Sequence, residues 1–155
     1  MKRSKIFFAL LALLGLSSCN KDAGLQLPAL FTDHMVLQQN AFAAIWGKAA
    51  PGTQVTVSSD WGAEVSGQAE ADSSWRVDLP TPEAGGPYVL TITAGSSTLT
   101  INDVLLGEVW LASGQSNMEM PLEGWPPHDL IQDSEAAIAA ASNPKIRMFT
   151  VEKAT

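Results

Sequence analysis

Gly114-Gln115-Ser116-Asn117-Met118 holds the residue types and spacing from which a nucleophile can be built. The serine stands in a glycine-polar turn directly after two continuous apolar runs, residues 104–106 and 108–112. Such runs are expected of a strand buried on both faces, and open α/β sheets present reactive groups at the carboxyl ends of their strands. A serine hydroxyl is a weak nucleophile until a base takes its proton, and the tetrahedral oxygen formed on attack needs preorganised donors. The backbone N–H of Ser116, free at the start of a helix, is the one such donor to assign. Gln115 and Asn117 stand where side-chain hydrogen bonds can organise the site. Met118 occupies the second glycine position of a Gly-x-Ser-x-Gly elbow, which disfavours the usual α/β-hydrolase fold. By residue type alone, Ser116 reads as a turn or cap residue.

The other chemistry-bearing residues have plainer readings. Glu119 and Glu123 could form a carboxylate pair, but they sit on a short, proline-flanked loop that favours solvated acids. His34 reads as a turn or surface residue of a β-module, and His128 lies in a proline-rich loop twelve residues after Ser116. One cysteine and two histidines exclude a disulfide framework and a zinc site built on Cys/His spacing; no metal and no cofactor is expected. Trp46 and Trp75 lie in alternating strands, as core residues do. Trp61, in a Ser-Ser-Asp-Trp-Gly turn, and Trp125, after the serine loop, could stack on a sugar.

The elements that must position these residues fall into two styles. From residue 25 to about 104, short alternating runs at 35–37, 42–46, 55–57, 75–79, 88–93 and 98–101 read as strands. Ala50-Pro51-Gly52, Ser59-Asp60-Trp61-Gly62, residues 82–87 and Gly95-Ser96-Ser97 supply the turns between them. This describes a small antiparallel β-sandwich. The register changes near Asp103. Beyond it, an apolar strand, the serine turn, a helix over 129–142 with Asp129 as N-cap, a stop at Asn143-Pro144 and a strand over 146–151 make one βαβ unit. The expected fold is therefore mixed: a β-sandwich over 25–104, then the opening of a parallel α/β sheet over 105–155. One βαβ unit cannot cover both faces of its own sheet. Residues 105–155 alone are expected to expose apolar surface and to be poorly soluble.

The front of the chain is an address. Lys2, Arg3 and Lys5 precede an eleven-residue apolar run, 6–16, which is too short to span a bilayer. Leu16-Ser17-Ser18-Cys19 then resembles the lipobox of bacterial lipoproteins, which implies cleavage before Cys19 and acylation of that residue. Each buried methylene of such a chain adds roughly 0.8 kcal/mol of membrane affinity. Residues 1–18 read as the signal and 19–24 as a polar tether, with the protein held on the bacterial cell envelope. The net charge of −7 becomes −10 once those three cations are removed. With no basic stripe, nucleic acid is not an expected partner.

Four blocks carry a wider resemblance. Residues 30–39 (LFTDHMVLQQ), 46–52 (WGKAAPG), 84–88 (AGGPY) and 107–121 (GEVWLASGQSNMEMP) are similar, in that order, to the sialate O-acetylesterase family. The resemblance runs from about Leu27 to Val151. It implies an SGNH-type hydrolase with a flavodoxin-like catalytic domain, in which Ser116 attacks an acetyl carbonyl on a sugar hydroxyl, O-acetylated sialic acid being the family's named substrate. The family takes its catalytic base from a later Asp-x-x-His; Phe31 and Trp125 stand three positions before His34 and His128. The resemblance thus implies the N-terminal part of a longer esterase, inactive by itself. The competing expectation is a lipid-anchored β-sandwich that binds carbohydrate or protein without catalysis.

Overall fold

The computed structural model of the chain describes residues 24–151. The signal segment, Cys19 and most of the tether lie outside the described residues. Seven strands follow one another: β1 Val36–Gln38, β2 Ala41–Lys48, β3 Gln54–Ser59, β4 Glu64–Gln68, β5 Ser74–Thr81, β6 Gly85–Ala94 and β7 Ser97–Gly107. After them come α1 Ser116–Glu119, a small hairpin of β8 Gly124–Trp125 and β9 Asp129–Leu130, and α2 Ser134–Ala140. The first seven strands form a five-stranded mixed sheet, ordered β1-β7-β6-β3-β4, and a two-stranded sheet, β2-β5. All pairings are antiparallel except β1 with β7.

Period-two alternation decides which residues go inside. In β5, Trp75, Val77, Leu79 and Thr81 are buried while Arg76, Asp78 and Pro80 face out. The two sheets share one core, in which Ile45 and Leu79 of the small sheet meet Val55, Val57, Leu90, Ile92 and Val104 of the large one, all fully buried. Each such side chain contributes on the order of 1.5–3 kcal/mol by leaving water. Thr81 is the one buried polar residue among those described. Its Oγ1 accepts the Ala41 N–H at 3.1 Å and donates to the Gln38 carbonyl at 2.7 Å, tying the end of β1 to the small sheet.

Three differences from the sequence reading have physical causes. β4 escaped it because Glu-Val-Ser-Gly-Gln has one apolar residue and no fully buried position. The register change near Asp103 is a β-bulge inside β7. Tyr88 pairs with Val104 but Leu90 with Ile101, so β7 carries one extra residue, and Asp103 sits at φ 53°. The bulge flips parity, so that Ile101 before it and Val104 and Leu106 after it all point into one core. β7 thus continues three residues past 104 as part of the β-module.

The third difference is the arm after Gly107. The strands expected at 108–112 and 146–151 carry no pairing among the described residues, so the βαβ unit does not form there. An extended segment becomes a strand only when neighbours satisfy its N–H and C=O groups. The helix starts later than expected: Asp129 pairs with Trp125 in the small hairpin, and α2 begins at Ser134 with Asp133 as N-cap, φ 59°. No residue of α2 is buried. Trp110, Leu111 and Met148 are 85%, 93% and 94% exposed.

Candidate functional site

β7 delivers the chain to the serine turn, and a set of amides fixes its exit. Glu108 accepts Nε2–H bonds from Gln38 at 3.1 Å and from Gln39 at 2.7 Å. The same two side chains use their oxygens: Gln38 Oε1 accepts the Val109 N–H at 2.9 Å and Gln39 Oε1 accepts the Ala84 N–H at 2.8 Å. The Gln39 N–H closes the set on the Gly107 carbonyl at 2.9 Å. Hydrogen bonds from Gln38 and then Gln39 hold the Glu108 carboxyl below the usual carboxylate range.

A second cluster binds the far end of the arm to the same edge. Arg147 donates from Nη2 to Asp103 Oδ1 at 2.9 Å, and from Nη1 to the carbonyls of Asp103 and Met35. His34, on an exposed turn at φ 69°, meets the other Asp103 oxygen through Nδ1 at 2.5 Å. Asp33 caps the bulge, accepting the Asn102 N–H at 2.7 Å. The partners His34 and Arg147 hold Asp103 below the ordinary carboxylate range, the His34 hydrogen bond contributing most. Both clusters join residues about 70 apart in sequence or more than 40 apart, which no periodicity reveals.

Ser116 opens α1, with Gln115 as N-cap in extended geometry; the Met118 N–H reaches the Gln115 carbonyl at 2.9 Å. Gln115, Ser116 and Asn117 are all exposed, and none of their side chains makes a hydrogen bond among the described residues. Met118 folds back over the turn: a Cβ at Gly114 would lie 3.1 Å from Met118 Cγ. In the following hairpin, Gly124 at φ 80° is required, because a Cβ there would meet the Asp129 carbonyl oxygen at 1.8 Å. That hairpin carries Trp125, 41% exposed, and His128, whose N–H binds the Trp125 carbonyl at 3.2 Å.

Neither histidine is hydrogen-bonded to Ser116. Trp61, which could stack on a sugar, is engaged within the module: its N–H donates to the Pro80 carbonyl at 3.1 Å and its ring packs edge-on to Tyr88. Trp46 departs from the core reading in the other direction, standing on the outward row of β2 at 39% exposure. Among the described residues no group of three His, Cys, Asp or Glu side chains could hold a metal ion.

No family model matches the chain. It is 31% identical over 156 residues to the sialate O-acetylesterase of Mus musculus, a match covering 94% of this chain and 28% of that protein. It is 40% identical over 108 residues to the sialate O-acetylesterase of Homo sapiens, covering 63% of this chain and 20% of that one. Among solved structures, a novel carbohydrate acetylesterase from Xanthomonas citri matches with a TM-score of 0.67 and 40% identity, over 77% of this chain and 26% of that one. The chain thus spans between a fifth and somewhat over a quarter of the length of these relatives. Three of the four blocks, 30–39, 84–88 and 107–121, are the ones that the bonds of Gln38, Gln39 and Glu108 join. Over the stretch that it shares with these proteins, the chain is similar in sequence and fold to the sialate O-acetylesterase-like family.

Proposed function

We propose that this chain carries the nucleophile segment of a carbohydrate O-acetylesterase, with Ser116 as nucleophile. The observation that supports it most is the shared fold and sequence with a carbohydrate acetylesterase over most of the chain. In this reading Ser116 Oγ attacks the acetyl carbonyl carbon and passes its proton to a base. The oxygen that becomes negative is received by the Ser116 N–H at the start of α1, with Gln115 and Asn117 flanking it. The bond to the sugar oxygen breaks, and the sugar leaves with that proton. Water then releases acetate from the acetyl-enzyme and restores the serine. The base and its acid come from sequence corresponding to the rest of the relatives' length, since His34 is engaged with Asp103 and His128 does not reach Ser116.

The same reading extends to architecture. The two sheets act as a β-sandwich module that ends with β7, and the arm is the first βαβ unit of a flavodoxin-like domain, its strands at 108–112 and 146–151 pairing with strands of that remaining sequence. The substrate is an O-acetylated glycan, O-acetylated sialic acid included. Residues 1–18 are a signal and Cys19 carries lipid, which places the protein on the bacterial envelope. The test is hydrolysis of a chromogenic acetyl ester and of an O-acetylated glycan by the full-length protein. Ser116→Ala should lower kcat by about 10³-fold or more; activity unchanged by that substitution refutes the nucleophile.

A further inference from the structure

β1 and β7 pair in parallel, with Gln38 opposite Gly107. Their rungs include the Leu105 N–H on the Met35 carbonyl and the Gln39 N–H on the Gly107 carbonyl. In that pattern the next rung would join the Val109 N–H to the Gln39 carbonyl. It does not form, because the chain turns away through Asn40, φ 48°, into β2. The Gln38 side chain stands in its place. Its Oε1 accepts the Val109 N–H at 2.9 Å, and its Nε2 lies 3.5 Å from the Gln39 carbonyl oxygen. A side-chain amide carries the same donor and acceptor as a peptide group, so Gln38 extends the ladder past the end of its own strand.

The amide is also held from its other end. Gln38 Nε2 donates to Glu108 Oε2 at 3.1 Å and Gln39 Nε2 to Glu108 Oε1 at 2.7 Å, so each carboxylate oxygen has its own donor. Gln39 Oε1 accepts the Ala84 N–H at 2.8 Å, which ties the residue before β6 into the same set. An ionised carboxylate only accepts. Gln38 must therefore turn its nitrogen to Glu108, and that aims its oxygen at Val109. No charged neighbour contributes to the lowered Glu108 carboxyl, so the two glutamines alone hold it in the accepting form. Ser116 lies seven residues beyond Val109. The direction in which the chain sets out toward it is fixed by side chains of the β-module.

We propose that Gln38 is a positioning residue of the esterase and Glu108 the partner that orients it, the pair fixing the strand that presents Ser116. The β-module is then part of the scaffold of the reaction and not an appended binding domain. The proposal rests on the reading of Ser116 as nucleophile. A reacting atom displaced by about 1 Å can cost on the order of 10²-fold in rate. The test uses the full-length protein and a chromogenic acetyl ester. Gln38→Glu keeps the acceptor for Val109 but sets a second carboxylate against Glu108, so kcat should fall about tenfold or more while KM changes less than about twofold. Facing carboxylates hold a proton between them more tightly, so the ratio of variant to parent kcat should recover as the pH is lowered from about 8 to about 5. Gln38→Glu combined with Glu108→Gln exchanges donor and acceptor while keeping the bonds to Val109 and Gln39. It should return kcat to within about threefold of the parent at both pH values. If Gln38→Glu does not fold, Gln38→Met removes both bonds without adding charge and should lower kcat with the midpoint of unfolding little changed. Parental kcat in the foldable single variant, a Gln38→Glu loss that is the same at both pH values, or no rescue in the double exchange would each overturn the proposal. Ser116→Ala with parental activity would remove the nucleophile and this proposal together. An inactive Ser116→Ala beside a Gln38→Glu of parental kcat would remove this proposal alone.

Discussion

The β-module up to Gly107 and the arm after it are built from equally apolar sequence, yet only the first makes a core. In the module every inward position finds a partner across the two sheets, and seven large side chains are fully buried. In the arm, Trp110, Leu111, Ile146, Met148 and Val151 are exposed, and the contacts that hold it are polar: Gln38 and Gln39 on Glu108 at one end, Asp103 on Arg147 at the other. Hydrophobic sequence therefore specifies burial only where the chain also supplies the opposite face. A polar hinge can fix the path of a segment whose apolar side chains stay exposed.

The sharpest way to break this comparison is to cut equal side chains from each region. Leu79→Ala in the module should destabilise by about 2–5 kcal/mol, whereas Leu111→Ala in the arm should change stability by no more than about 0.5 kcal/mol. Denaturant unfolding of the two variants checks this, and equal losses would mean that the arm is part of the same core. Next in size is Thr81→Val, which leaves the Ala41 N–H without its acceptor and should cost on the order of 1–3 kcal/mol. The same unfolding experiment reads it.

Smaller and local is Arg147→Ala. It removes a donor from the Asp103 carbonyl, from one Asp103 carboxylate oxygen and from the Met35 carbonyl, which keeps the Leu105 N–H, so amide exchange around 145–148 should quicken several-fold while the midpoint of unfolding barely moves. Smallest is the pH response of the other hinge. Glu108 has its carboxyl lowered in the folded protein, so its contribution is fully present above the unfolded value, about 4.3, and is lost as pH falls through the lower folded value. Protection of the Val109 amide should drop over that acid window and not between pH 6 and 8. In Glu108→Gln the acid-dependent drop should vanish.

How much of this was legible in the sequence follows the same division. Six of the seven module strands lie where alternation puts them, because their partners are close and their period is clean. β4 does not, since a strand with one apolar residue leaves no pattern. The parity flip at Asp103 was visible, but a bulge and a domain switch look alike in one dimension. The helix boundary slipped because Asp129 is taken up by pairing with Trp125 in the Gly124 hairpin, so α2 starts only after Asp133. Ser116 and its neighbours stand out by the blocks around them, since by residue type alone they read as a turn. The pairings that fix the route to Ser116, Gln38 with Glu108 and His34 and Arg147 with Asp103, are side-chain contacts between distant segments and leave no local trace.

The most direct test of the central claim is to trap the acetyl-enzyme. The full-length protein is mixed with an excess of an activated acetyl ester, quenched in acid during turnover and digested. The account predicts an acetyl group on the peptide that spans Gly114 to Met118, placed on Ser116 by fragmentation and absent in Ser116→Ala. Steady hydrolysis with no acetyl on Ser116 at any quench time, and with Ser116→Ala as active as the parent, would contradict it.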